Sequence, residues 1–121
     1  MAWNFTADKP IYAQIAEILK RDILSGKYQA GDKLPTVRDL AAEAAVNPNT
    51  MQKAFSELEQ EGLISTQRTA GRTVTTDSHK LEEARKLMLE ELTGEYLKKI
   101  YQMGSTKEDA VQLIEKMRGD L

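Results

Sequence analysis

Apolar positions recur three and four residues apart over most of this chain and alternate with polar ones only in short stretches. Trp3-Asn4-Phe5 alternates as a short half-buried strand does. Asp8 and Pro10 then mark a helix start, and Ile11, Ile15, Ile18, Leu19 and Ile23 form one stripe that Gly26 closes. Gln29-Ala30-Gly31-Asp32 reads as a turn, and Pro35 blocks an earlier start to the next helix. Thr36 is a good N-cap, with Asp39 three residues on, and Leu40, Ala41 and Ala44 give this short second helix its inner face. Val46 plugs the following turn. Asn47-Pro48 is the sharpest local signal: Asn caps a third helix and Pro fits its first position. That helix runs to about Gln60, burying Met51, Ala54, Phe55 and Leu58, and Gly62 stops it.

Residues 63–67 and 72–76 are β-prone runs around a hairpin loop, Arg68-Thr69-Ala70-Gly71. A lone hairpin buries too little to stand alone, so it is expected to pair with the Trp3–Phe5 strand and rest on the helices. Thr76-Asp77-Ser78 is a polar joint. A long helix from His79 to about Met103 follows, with Leu81, Ala84, Leu87, Met88, Leu92, Tyr96 and Ile100 on its apolar side and Gly94 as a candidate bend. Gly104 ends it, and Ser105-Thr106-Lys107-Glu108 is a capping box for a last helix that buries Ala110, Val111, Ile114 and Met117. The expected fold is α+β: a domain of three helices and a small antiparallel sheet at 1–78, then a two-helix tail at 79–121.

Composition removes several classes of function. There is no cysteine, which rules out a disulfide framework, a thiolate nucleophile and a cysteine zinc site. The single histidine, His79, sits at the joint and reads as a solvated residue, and a triad or metal cluster lacks partners. Carboxylate pairs such as Glu82-Glu83 and Glu90-Glu91 look like solvated helix face. No cofactor, metal or enzymatic activity is expected. No run is apolar enough to span a membrane, and the first residues lack the basic and apolar regions of a signal peptide, so a cytoplasmic protein is expected.

The net charge of −2 is a mild argument against a nucleic-acid partner. Charge placement points the other way. Two short helices joined by a tight turn, the second well capped, form a helix-turn-helix pattern. That geometry puts the first residues of the second helix at base edges in the major groove. Here these are Asn47, Asn49, Thr50, Gln52 and Lys53. Asn and Gln can bond adenine bidentately, Thr can reach phosphate or a thymine methyl, and Lys can bind phosphate or guanine. This end carries Lys53 and no acid, while the far end carries Glu57, Glu59 and Glu61. Arg38 is placed for the backbone or a flanking base, and Arg68 and Arg72 bracket a hairpin tip suited to phosphate or the minor groove. Each feature also has a plainer reading, as a cap, a solvated face or a hairpin charge; their order and spacing together carry the case. Thr36 and Gly71, at the edges of the two reading elements, complete the candidate DNA-binding set.

Residues 10–76 resemble the N-terminal domain of GntR-type bacterial regulators. The matching stretches are Pro10-Ile11-Tyr12-Ala13-Gln14-Ile15, residues 31–41 (Gly-Asp-Lys-Leu-Pro-Thr-Val-Arg-Asp-Leu-Ala), residues 46–55 (Val-Asn-Pro-Asn-Thr-Met-Gln-Lys-Ala-Phe) and Leu58-Glu59-Gln60-Glu61-Gly62-Leu63-Ile64. With only a short helical tail after it, the chain is similar to the YtrA subfamily. The resemblance implies a winged helix-turn-helix, operator contacts from Arg38, Asn49, Thr50, Gln52, Lys53 and the wing, dimerisation through the tail, and regulated genes that often encode transporters. The wing departs from the family pattern Gly-x-Gly-Thr-Phe-Val. Here it reads Thr69-Ala70-Gly71-Arg72-Thr73-Val74, losing the first Gly, placing Arg where Thr is usual and Thr where Phe is usual.

A helix from His79 to Met103 spans about 36 Å at 1.5 Å per residue. One short partner cannot cover its apolar side, and a second copy is the natural solution, since closed two-fold dimers are commonest. Leu81, Leu87, Met88, Leu92, Tyr96, Ile100, Ile114 and Met117 are the expected dimer contacts. Met88, Met103, Tyr96 and Tyr101 also fit a ligand pocket, although interface packing suits them better. No effector is identified. The rival reading is a winged-helix module that binds protein without reading DNA, which the acidic net charge favours.

Overall fold

Helix α1 (Ile11–Leu24) begins as soon as Pro10, in an extended conformation, has passed, and no side chain caps it. In the computed structural model, which describes residues 3–117 and Gly119, the further elements are α2 (Val37–Ala44), α3 (Pro48–Gln60), β1 (Ile64–Gln67), β2 (Gly71–Val74), α4 (Ser78–Gln102) and α5 (Lys107–Lys116). Five helices and a two-stranded antiparallel sheet thus make up the described residues, as the α+β expectation required. The chain divides into two compact units, Met1–Glu83 and Ala84–Leu121.

In the first unit α3 is the central element, packed on both α1 and α2. Its apolar stripe, Met51, Ala54, Phe55 and Leu58, is fully buried and meets Ile15, Leu19 and Ile23 of α1 and Leu40 of α2 in one core. Burying such side chains stabilises the fold by roughly 1.5–3 kcal/mol each. Lys20 Nζ on α1 lies 2.8 Å from Glu61 Oε1 just beyond α3, tying the two helices at their edge. Strand β1 pairs with β2 in the register Ile64 to Val74 and Gln67 to Gly71.

The expected strand at Trp3-Asn4-Phe5 does not form, and this is a correction. The next residue is held along α1 instead: the Gln14 side chain accepts from Thr6 N–H and donates to Thr6 C=O, both at 2.9 Å, which directs the segment away from the sheet. Alternation is real, since Trp3 and Phe5 bring their rings to 6.4 Å, but it serves side-chain packing. The free edge of β2 is taken by residues 31–34. Gly31 N–H donates to Val74 C=O, Val74 N–H to Asp32 C=O and Leu34 N–H to Arg72 C=O, with Lys33 bridging Thr73.

In the tail, α4 is one uninterrupted helix through Gly94, and Asp77 caps it by accepting from Lys80 N–H at 3.1 Å. None of its residues is buried. The last helix also needs correcting. Thr106, not Ser105, is the N-cap, accepting from Asp109 N–H, so the motif sits one residue later than expected. Of the four residues expected to be buried on α5, only Ala110 is. Val111, Ile114 and Met117 stay exposed among the described residues.

Candidate nucleic-acid interface

Helix α2 starts on Thr36, whose side chain accepts from Asp39 N–H at 3.0 Å, and ends on Ala45. Ala45 takes φ 59°, the left-handed conformation, and is the only non-glycine to do so among the described residues. Its N–H bonds back to α2, and Val46 N–H bonds to Ala41 C=O. The turn is thereby closed in two residues. Asn47 then opens α3: its Oδ1 accepts from Asn49 N–H at 2.7 Å, and Pro48 occupies the first turn, where a missing N–H costs nothing.

Three polar side chains are exposed on the first two turns of α3: Asn49, Gln52 and Lys53. Thr50 is half-buried beside them. Asn49 and Gln52 have no hydrogen-bond partner for their side chains among the described residues. Lys53 is not wholly free, because its Nζ sits 4.0 Å from the centre of the Tyr12 ring on α1. A cation over an aromatic face is held by the ring quadrupole yet keeps its N–H donors available. Arg38 on α2 is exposed, and among the described residues it forms no ion pair. The acids gather at the other end of α3. There Glu61 is neutralised by Lys20, and Glu59 by Arg72 at 2.8 Å.

The hairpin splits its two arginines. Arg68 is exposed at the tip. Arg72 turns inward, with its guanidinium on Glu59 and its Cζ 5.1 Å from the Phe55 ring centre. Gly71 has φ +72° at the start of β2, a conformation that suits glycine. Thus Thr36, Arg38, Asn47, Asn49, Thr50, Gln52, Lys53, Arg68, Gly71 and Arg72 all lie within the first compact unit, on the two helices of the motif and the hairpin. Thr36 and Asn47 use their side-chain oxygens as caps and Arg72 is engaged internally. Two residues were not picked out from sequence: Tyr12, which holds Lys53, and Glu59, which holds Arg72. Tyr12 stood in a recognised motif stretch but carried no signal of a contact 41 residues away.

In the tail, Leu87, Leu92, Tyr96, Ile114 and Met117 are exposed, and Leu81, Met88 and Ile100 are half-buried. Leu89 and Leu113, also exposed, fall off the expected stripe. Among the described residues no cluster of His, Cys, Asp or Glu is placed to hold a metal ion, and no helix is long and apolar enough to cross a membrane. Two carboxyls are held below the usual carboxylate range, Asp8 by the Thr6 hydroxyl and Asp109 by the Ser105 hydroxyl. Both are exposed and lie outside α2, α3 and the hairpin.

Residues 11–74 match the family described as "Bacterial regulatory proteins, gntR family". The HTH-type transcriptional repressor YtrA of Bacillus subtilis is 35% identical over 113 residues, which cover 93% of this chain and 87% of that protein. A solved GntR family transcriptional regulator from Listeria monocytogenes superposes with a TM-score of 0.85 at 36% identity, covering 94% of this chain and all of that one. The DNA-binding domain of AraR, solved in complex with operator ORX1, matches with a TM-score of 0.56 at 26% identity over 62% of this chain and 95% of its own.

Proposed function

Since the chain belongs to the GntR family of transcriptional regulators, with a YtrA-like relative over nearly its whole length, we propose that it is a repressor that binds a palindromic operator as a homodimer. The observation that carries this reading is the uncovered start of α3. Asn49, Gln52 and Lys53 project from two turns that hold no acid, at the positive end of the helix dipole. Asn49 and Gln52 read base edges, Lys53 and Arg38 meet guanine or phosphate, and Arg68 at the hairpin tip meets phosphate or the minor groove. Thr36 and Asn47 set the two helix starts and add contacts at the groove edge. AraR's operator complex supports a DNA partner for this domain type.

The acidic balance favours a protein partner only if charge is counted without regard to place. Glu59 and Glu61 are internally paired, and the reading end is free of carboxylates.

Dimerisation is proposed through the tail. Leu87 and Ile114 each leave 54% of their surface exposed, a large apolar area for one chain to show water. Apolar residues lie on nearly every side of α4, a pattern normal for a helix buried on several sides. A second copy supplies that cover and gives the two-fold symmetry a palindrome needs. A transporter operon as target, which the subfamily resemblance implies, and work in the cytoplasm belong to the same proposal.

Selection from a random duplex pool tests the whole reading. An inverted repeat with half-sites about 34–36 Å apart, or a multiple, is expected. Failure to enrich any sequence, or enrichment of a lone half-site, contradicts specific dimeric reading.

A further inference from the structure

Arg72 is one of the positions where this chain departs from the usual wing, and its surroundings give the arginine a role of its own. Its Nε donates to Glu59 Oε1 at 2.8 Å. The same oxygen accepts from Thr66 Oγ1 at 3.1 Å, and Thr66 is the residue opposite Arg72 in the hairpin register. One carboxylate near the end of α3 therefore gathers both strands of the hairpin. The guanidinium lies over Phe55, which is completely buried, so the clamp stands directly on the core. Only about a quarter of the Arg72 side chain is exposed. Its own C=O accepts from Leu34 N–H, adding the 31–34 segment to the same node.

We propose that Arg72 is a positioning residue for DNA binding, which fixes the hairpin against α3 through Glu59 and leaves Arg68 as the arginine of the hairpin that meets DNA. The inference rests on the operator-binding reading above. Two strands with a four-residue register bury little by themselves and need an anchor. A charge-assisted bond over an aromatic ring supplies one. Glu59 offsets the charge of Arg72 and occupies its Nε, which weakens the pull of this arginine on a phosphate, whereas Arg68 stands exposed at the tip. An acidic residue on the reading helix thus supports DNA binding instead of opposing it.

The test uses the full chain and three variants: Glu59→Ala, Arg72→Met, which keeps an apolar stem over Phe55, and the double. Amide hydrogen exchange of residues 64–74 in the free protein should quicken about three-fold in each single variant. The double should be no faster than Glu59→Ala, because once Glu59 is gone Arg72 has no carboxylate left to lose. Titration of a selected operator across a salt series should show weaker binding in all three, with the wild-type salt slope kept. The proposal is overturned if hairpin exchange stays at the wild-type rate in Glu59→Ala. It is equally overturned if Arg72→Met lowers the slope by about 0.9 per protomer, the mark of a lost phosphate contact. A wild-type chain that binds no duplex strikes the regulator reading itself, while exchange in the free protein still decides the clamp.

Discussion

Ala45 pays for the tightness of the turn between α2 and α3. A β-carbon at φ 59° crowds its own backbone, and glycine escapes this. Ala45→Gly is expected to raise stability by about 0.5–1 kcal/mol, the relief of strain exceeding the entropy that glycine adds to the unfolded chain. A higher urea midpoint at unchanged m-value checks this, and a lower midpoint refutes it. Single residues were legible where their role is local. Thr36 and Asn47 cap within two or three positions of themselves, so their chemistry is written in adjacent letters. Arg72 was legible only as a charge near a tip. Its partner Glu59 lies 13 residues away, and only the packing of the hairpin on α3 brings the two together.

Helix α3 combines two duties at its first turn. Asn47 satisfies an otherwise orphaned N–H and sits where DNA is expected to lie. Substitutions separate the two. Asn47→Ala removes the cap and should cost about 1 kcal/mol of stability. Asn47→Asp keeps a capping oxygen, so stability should hold, while the new carboxylate faces phosphates and operator binding should fall. Thermal unfolding beside operator titration checks both; an Asn47→Asp variant that binds normally removes this residue from the interface. The helices themselves were readable because helical periodicity reports burial directly: Met51, Ala54, Phe55 and Leu58 face the core as their spacing required. Strand pairing was not. Alternation in Trp3-Asn4-Phe5 identifies a half-buried extended segment but says nothing of which edge it meets. Gln14 holds the following residue, Thr6, along α1, and residues 31–34, bearing Leu34 as their one buried apolar side chain, took the edge instead.

For the molecule as a whole, the two units differ in how far one chain can complete them. The first closes a core of its own around α3. In the second, Ala110 is the single buried residue among those described. The apolar stripe chosen on α4 by spacing was one of several that fit, because apolar residues such as Leu89 and Tyr101 lie off it. No periodicity argument singles out a contact face on a helix whose apolar residues are scattered among charged ones on nearly every side. In the proposed homodimer these positions are covered by the partner. Leu92→Glu combined with Ile114→Glu should then convert the dimer to monomer in sedimentation equilibrium, leave the first unit folded, and weaken operator binding by more than ten-fold, since two linked half-site contacts become one. A wild-type chain that sediments as a monomer at all concentrations removes the tail from this role.

Base-pair scanning of the operator with wild type and Gln52→Ala addresses the reading helix most directly. Each position of one half-site is replaced in turn and both proteins are titrated at a fixed salt concentration. Wild type should lose about 1–3 kcal/mol at the pair that Gln52 reads, and Gln52→Ala should be indifferent there while keeping its preferences elsewhere. Equal losses at every position for both proteins, or discrimination that does not change when Gln52 is removed, would contradict a base contact from the exposed start of α3.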